Sequence, residues 1–459
     1  FVLALAPGPE PGQSYNTDIY TVRLAGGEPE LLLGRTGTDD EPQYSPDGKW
    51  IAFVTGRGEV DWAADQHLAV ISAGGGAPRV ISGDYDRFVD DFTWAADSKS
   101  IYFGGSWNLR GHLFRVGADG RGFTNLSQRH GVASDAHFLP SRDRVAFVWQ
   151  SLTDPPEIHV SPISRFAPRA ITEINAFYRD RTLGETSVVR WTNPSDGLEI
   201  EGLLTLPIGY EPGMRVPLLL FVHGGPASHF SEQYLGYLGH VYPPHVFAAR
   251  GYAVLRANPR GSGAYGSTFK SANRADWGGG DFADLMAGVD MLVERGIADP
   301  ERLGIMGWSY GGFMAAWAIT QTDRFAAASI GAPVVHLASM EGTSDIPGFI
   351  ASYFGASPWE AGDLHRERSP LTHVANAETP ALIQHGMWDD RVPLSQGRMY
   401  HQALLDVGVP SVLVVYPRTP HTAREPRLRM DVMKRNVWWF DQWIRDDERS
   451  YEEYWDATR

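Results

Sequence analysis

The sequence predicts a doubly wound, mostly parallel α/β domain preceded by an all-β propeller that is only partly present in the chain. Three observations predict it. Stretches around Ile19, Leu68, Leu113 and Ile158 repeat a short apolar strand, a Gly-rich turn and a second strand every 45 to 49 residues. A turn-then-strand motif interleaves with them: Tyr44-Ser45-Pro46-Asp47-Gly48-Lys49-Trp50-Ile51-Ala52-Phe53, then Trp94 to Phe103, then Phe138 to Phe147. From Ser187 onward, continuous apolar runs alternate with helical patterns. A period of about 45 residues made of strands and Gly/Pro/Asp turns is the signature of four-stranded propeller blades. Apolar strands alternating with helices imply a parallel sheet covered on both faces.

Taken in order, the chain opens on Phe1 rather than Met, and Phe1 to Ala6 reads as the middle of a strand. Residues 1–180 hold three to four periods, fewer than a closed ring uses, so further blades are expected upstream of Phe1. The second part, residues 187–459, begins with strands over about 187–191 and 198–206, followed by the unbroken apolar run Val216 to Val222. Further strands are predicted over 252–257, 303–306, 326–330, 381–384 and 411–416. Helical patterns fall between them over 282–295, 312–320, 394–407 and 426–445.

Composition narrows the function. With 459 residues, two or three domains of ordinary size are available. Lys and Arg number 40 against 55 Asp and Glu, a formal charge of -15 that repels phosphate backbones and anionic lipids, so neither nucleic acid nor a membrane is an expected partner. No apolar run approaches the roughly 18 residues a membrane span needs. The chain has no cysteine, which excludes disulfides, thiolate metal sites and a cysteine nucleophile and fits a reducing, cytoplasmic setting. No metal or nucleotide motif is present, so no cofactor and no metal are expected.

The chemistry concentrates in the second part. Gly307-Trp308-Ser309-Tyr310-Gly311 lies between a predicted strand and a predicted helix. A turn tight enough to expose a serine hydroxyl there needs small neighbours, and the helix N-terminus favours developing negative charge. A serine needs a base, itself oriented by a carboxylate. Both follow in chain order. The loop after the 381–384 strand carries His385-Gly386-Met387-Trp388-Asp389-Asp390-Arg391-Val392-Pro393, and the loop after 411–416 carries His421. Asp389 and Asp390 compete for the acid role, with Asp389 favoured. One oxyanion donor is expected from the amide of Tyr310; the second is assigned to Gly225 in His223-Gly224-Gly225-Pro226, after the Val216 to Val222 strand.

These motifs, from about Val188 to Arg445, resemble the catalytic domain of the prolyl oligopeptidase family, an α/β hydrolase paired with an N-terminal propeller. The likeness is nearest to the acylaminoacyl-peptidase branch, which carries a glycine in the oxyanion loop where other members use a tyrosine; that tyrosine position is His223 here. The resemblance implies a serine peptidase acting on short peptides, releasing N-acylated amino acids from the peptide N-terminus. It further implies that the propeller screens substrates by size, that copies of the chain assemble into a homo-oligomer, and that Arg391 binds a substrate carbonyl, against the alternative of a structural ion pair. Val334, Val335 and Val392 are candidate walls of an apolar substrate pocket and equally candidates for core. Alternatives within the same chemistry are a dipeptidyl- or oligopeptidase and a carboxylesterase; outside it, an interaction scaffold with an inactive hydrolase domain. The segments 258–263 and 276–281 are read as structural loops, with Asp281 capping a helix.

Overall fold

A computed structural model describes residues 1–9, 15–58, 61–63, 65–139, 141, 143–236 and 241–456; Pro140 and Arg142 of the third turn motif lie outside the described residues. The chain divides into two compact units. One comprises Phe1–Arg181 with Ser231–Tyr234 and Gly263–Ser271, and the other comprises Thr182–Phe230, Leu235–Ser262 and Ala272–Arg459.

The first unit is a succession of antiparallel propeller blades. A three-stranded sheet (Val2–Leu5, Asp18–Thr21, Glu30–Leu33) is followed by a four-stranded one (Asp39–Tyr44, Trp50–Thr55, His67–Ser72, Arg79–Val80). Two further four-stranded sets run over residues 89–125 and 132–170, linked by a single parallel pairing of Gly111 with Val132. The repeated turn motif has one backbone solution. Ser45 N–H donates to Trp50 O, Ala95 N–H to Ser100 O and Leu139 N–H to Arg144 O, at 2.8, 2.8 and 3.0 Å. Gly48 and Ser98 occupy the same left-handed position in the first two turns, with φ of 72° and 59°. Glycine takes that conformation without strain, which explains its use in the first of them. The second and third blades bury their middle strands: Ile51 to Val54, Leu68 to Ile71, and Ile101, Phe103 and Phe114 are almost wholly inaccessible.

The second unit is built on an eight-stranded sheet. Its strands are β1 (Thr186–Thr192), β2 (Glu199–Thr205), β3 (Val216–Val222), β4 (Ala253–Asn258), β5 (Ala298–Trp308), β6 (Phe325–Gly331), β7 (Ala381–Gly386) and β8 (Ser411–Tyr416), in the spatial order β1-β2-β4-β3-β5-β6-β7-β8. The first two pairings, β1 with β2 and β2 with β4, are antiparallel, and every later one is parallel. This is the α/β-hydrolase arrangement. In β3 every residue from Pro217 to Val222 is buried, and β4 and β7 are buried throughout. Apolar runs of this kind follow from a sheet covered on both faces.

The helix Tyr310–Gln321 is buried from Tyr310 to Thr320 because it lies against β3 and β6 with almost no clearance. A Cβ on Gly311 would stand 2.2 Å from Val222 O, and one on Gly312 would stand 2.2 Å from Gly331 O. The glycines after Ser309 are therefore there for packing. The predicted long helices appear as Gly280–Glu294, Tyr310–Gln321, Leu394–Asp406 and Pro426–Ile444. Between β6 and β7 lie three short helices, Leu337–Thr343, Phe349–Phe354 and Gly362–Glu367, and a 3-10 segment at Pro370–Asn376, none of which the periodicity predicts. Among the described residues no helix is long and apolar enough to cross a membrane.

Candidate active site

Parallel strands deliver their C-terminal loops to one edge of the sheet, and three such loops carry the candidate residues. Ser309 follows β5 directly. Its φ of 64° and ψ of -120° lie where side-chain-bearing residues are rarely found, at a cost on the order of 1–3 kcal/mol that the surroundings must sustain. They do so by holding both sides of the turn: Ser309 N–H donates to Gly331 O at 2.9 Å, and Phe313 N–H donates to Ser309 O at 2.8 Å. Such a turn lifts the hydroxyl off the sheet and leaves it half-buried at the start of a helix.

The loops after β7 and β8 are knit to each other. Met387 N–H donates to Tyr416 O at 2.8 Å and Trp388 N–H to Thr419 O at 2.9 Å. A Cβ on Gly386 would lie 2.4 Å from both Thr419 O and Pro420 O, so the two backbones touch just before each candidate side chain. Across this contact His421 Nδ1 meets Asp389 Oδ2 at 2.8 Å. Asp389 is buried whereas Asp390 is exposed, which separates the two competing carboxylates. Asp389 Oδ1 also accepts from Val392 N–H at 2.9 Å. Burial by itself would raise its pKa, but hydrogen bonds from His385 and His421, the charge of His421 and the Val392 amide outweigh burial and hold it down at about 2. It is a carboxylate at any pH where the enzyme would work.

His421 reaches the serine turn through its backbone: Trp308 Nε1 donates to His421 O at 2.7 Å. Among the described residues no hydrogen bond joins the Ser309 hydroxyl to the His421 ring. The bond from Nδ1 to Asp389 leaves Nε2 on the opposite edge of the imidazole, the edge a general base would use. Such contacts often close only when substrate is bound.

The oxyanion candidates flank Ser309. Tyr310 is its chain neighbour, and a Cβ on Gly224 would sit 3.5 Å from the Ser309 Cβ, which places the Gly224-Gly225 turn beside Ser309. Gly225 has φ of 121°, a conformation that suits glycine. His223 stabilises this turn from beneath. Its ring is buried, with Nδ1 2.8 Å from Gly224 O and Nε2 2.8 Å from the Ser262 hydroxyl. Burial pushes its pKa down to about 4, so it is neutral.

The remaining candidates are placed differently. Arg391 is engaged by Asp345, with Nε to Oδ1 at 2.6 Å and Nη2 to Oδ2 at 3.4 Å, so the ion-pair alternative is the arrangement observed. Val334, Val335 and Val392 are 4%, 0% and 1% exposed, as closed off as the rest of the core. Asp281 does not cap its helix: Gly279 holds the cap position, and Asp281 is the second helical residue. Its Oδ1 accepts instead from Gly278 N–H and Phe282 N–H, both at 2.8 Å. In the segment 258–263, Asn258 bonds both ways with the Phe230 backbone and Arg260 forks onto Asp284. Sequence reasoning overlooked His385. It is fully buried, with Nε2 2.7 Å from Val392 O and 3.5 Å from Asp389 Oδ2, and its position four residues before Asp389 was the available signal.

Comparison with known proteins agrees with this architecture. Residues 242–447 match the prolyl oligopeptidase family. The chain is 33% identical over 357 residues to the uncharacterized peptidase YuxL of Bacillus subtilis, covering 76% of this chain and 53% of that one. It is 27% identical to dipeptidyl-peptidase 5 of Porphyromonas gingivalis (96% and 65%) and 26% identical to the acylamino-acid-releasing enzyme of Sus scrofa (92% and 61%). It thus spans between about half and two thirds of the length of these relatives. Among solved structures, the acylaminoacyl peptidase of Pyrococcus horikoshii superposes with a TM-score of 0.84 at 24% identity, over 98% of this chain and 70% of that one. That likeness shows the fold, a propeller with an α/β hydrolase. Across residues 242–447 the chain is thus similar to the prolyl oligopeptidase family.

Proposed function

We propose that the protein is a cofactor-independent serine peptidase that releases N-acylated amino acids from short peptides. The observation that carries this reading is the 2.8 Å bond between His421 and a buried, ionised Asp389, in loops locked to the strained turn that presents Ser309. In this reading the Ser309 hydroxyl attacks the acyl carbon while His421 Nε2 takes its proton, and Asp389 holds the imidazole in the required tautomer. The amides of Tyr310 and Gly225 receive the oxyanion. His421 returns the proton to the leaving amine, and water then releases the acyl group from Ser309 by the same steps in reverse.

Similarity to an acylamino-acid-releasing enzyme over 92% of the chain supports the blocked N-terminus, and similarity to dipeptidyl-peptidase 5 over 96% of it supports a second reading in which the N-terminus is free. Arg391 would serve a substrate carbonyl by exchanging Asp345 for it. Placement in a reducing cytoplasm, which the absence of cysteine allows, belongs to the same proposal, and cell fractionation tests it. The test of function has two parts. A fluorophosphonate should label the native protein and not Ser309→Ala. Turnover should then be compared on N-acetyl-alanyl, free dipeptidyl and simple ester substrates of one leaving group. Labelling with preference for the acetylated amide is expected. Ester-only turnover would make the protein a carboxylesterase, preference for the free amine would support the dipeptidyl reading, and no labelling would leave a non-catalytic scaffold.

A further inference from the structure

We propose that Asp281 is a positioning residue for the reaction, acting through the hydroxyl of Tyr310 to fix the direction in which the Tyr310 amide points. The inference rests on the reading of Ser309 and Tyr310 given above. It begins from a contact that packing alone does not call for: Asp281, wholly buried at 0% exposure, accepts a hydrogen bond from Tyr310 Oη through Oδ2. A buried carboxylate is costly unless every lone pair is used. Here both oxygens are used, Oδ1 by the amides of Gly278 and Phe282 and Oδ2 by the tyrosine. Burial still pushes the Asp281 pKa up to about 7, with the Tyr310 hydroxyl and the two amides pulling the other way.

The anchor is rigid at its base. Asp276 Oδ2 accepts from Gly280 N–H at 2.8 Å, closing the turn that carries Asp281, and Arg368 pairs with Asp276 at 3.0 Å. At the other end the Tyr310 ring is confined by Trp277, edge-on at 5.1 Å, and by Phe313, stacked at 5.5 Å, with Asn273 Nδ2 3.5 Å from the hydroxyl. With its tip tied and its faces packed, the side chain fixes the Cα of Tyr310 and with it the plane of the Ser309–Tyr310 peptide. That peptide follows a residue at φ 64°, so it lies where the backbone's own preferences would not keep it. An oxyanion donor works only if it already points at the place where the charge develops, and losing one costs on the order of 10² to 10³ in rate. Holding that amide is the task the Asp281–Tyr310 bond performs.

The test uses the full chain and a tetrahedral analogue, an N-acetyl-alanyl trifluoromethyl ketone, beside the peptide substrate. Tyr310→Phe removes only the hydroxyl. It should lower kcat about 10-fold with KM within 2-fold, and weaken the analogue by a similar factor, because the analogue presents the oxyanion and the ground state does not. Asp281→Asn, which can donate to the tyrosine oxygen, should recover most of the rate relative to Asp281→Ala. The double variant Asp281→Ala with Tyr310→Phe should be no worse than the poorer single one, as for two groups acting as a unit. Tyr310→Phe with kcat and analogue affinity equal to wild type would overturn the proposal, even if Asp281 variants fail to fold. A wild-type protein that neither turns over substrate nor takes the fluorophosphonate would sink the peptidase reading itself; an active, labelled wild type beside an unaltered Tyr310→Phe would sink only this inference.

Discussion

Asp389 shows how one residue's environment can be read as both catalysis and stability. Its folded pKa of about 2 lies below the ordinary value of 3.8, so the folded state releases this proton more readily than the unfolded chain does. The stabilisation is therefore fully present above about pH 4 and is lost as pH falls through 2. A shift of this size corresponds to about 2 kcal/mol. Asp389→Asn should lack that component: the stability difference between wild type and variant, followed by urea unfolding, should shrink by about that amount from pH 5 to pH 2. A pH-independent difference would mean that the carboxylate is not held by the two histidines. The same substitution should reduce kcat by roughly 10⁴ with little change in KM, because the imidazole would lose its orienting acceptor. At this scale the sequence was legible where chemistry dictates chain order. Ser309, Asp389 and His421 follow one another as strand-end loops, whereas Asp281 does not announce its contact, because a side chain reaching 29 residues along the chain to Tyr310 leaves no periodic trace.

Among the elements, the helix after Ser309 reverses an ordinary expectation. Replacing glycine by alanine inside a helix usually stabilises it by about 1 kcal/mol. Gly311 should do the opposite, since its Cβ would lie 2.2 Å from Val222 O and 3.0 Å from His223 O, backbone atoms that have nowhere to go. Gly311→Ala is expected to cost about 2 kcal/mol or more in denaturant midpoint and to displace the His223 to Gly225 turn, raising the barrier to reaction as well. A neutral or stabilised variant would refute the close packing. Gly386→Ala makes the complementary test on the acid and histidine loops. Its Cβ would meet Thr419 O and Pro420 O at 2.4 Å, so activity should fall with less loss of stability, because the collision is with the backbone of a loop rather than of a sheet strand. The long elements were readable because a strand covered on both faces needs an unbroken apolar run and a helix against it needs a stripe. The short helices between β6 and β7 were not, since six or seven residues hold fewer than two turns and set no period.

For the molecule as a whole, the least legible feature is the chain's division into units. The repeat pattern ends near residue 180 and the composition changes there, yet Ser231–Tyr234 and Gly263–Ser271, deep in the second part of the sequence, belong to the first unit. Nothing in their composition marks this; the pairing partners do. Glu232 accepts from Arg110 Nε at 3.1 Å and from Gly131 N–H at 2.8 Å, and Lys270 Nζ donates to Asp65 Oδ1 at 2.9 Å, 205 residues away in sequence. Both side chains of the Lys270–Asp65 pair are nearly inaccessible, at 7% and 2%. Burial raises the Asp65 pKa, and the charge and hydrogen bond of Lys270 oppose that rise. Removing one partner of such a pair leaves an uncompensated charge inside and typically costs 3–5 kcal/mol, whereas replacing both by apolar groups is often neutral. Lys270→Met should therefore destabilise the first unit by about 3 kcal/mol in urea unfolding, and Asp65→Leu added to it should restore most of the loss. The Lys270→Met variant should also speed hydrogen exchange in the His67–Ser72 strand, two residues from Asp65, more than in β3 of the second unit. If the single variant unfolds at the wild-type midpoint, the recruited segment is not held by this pair.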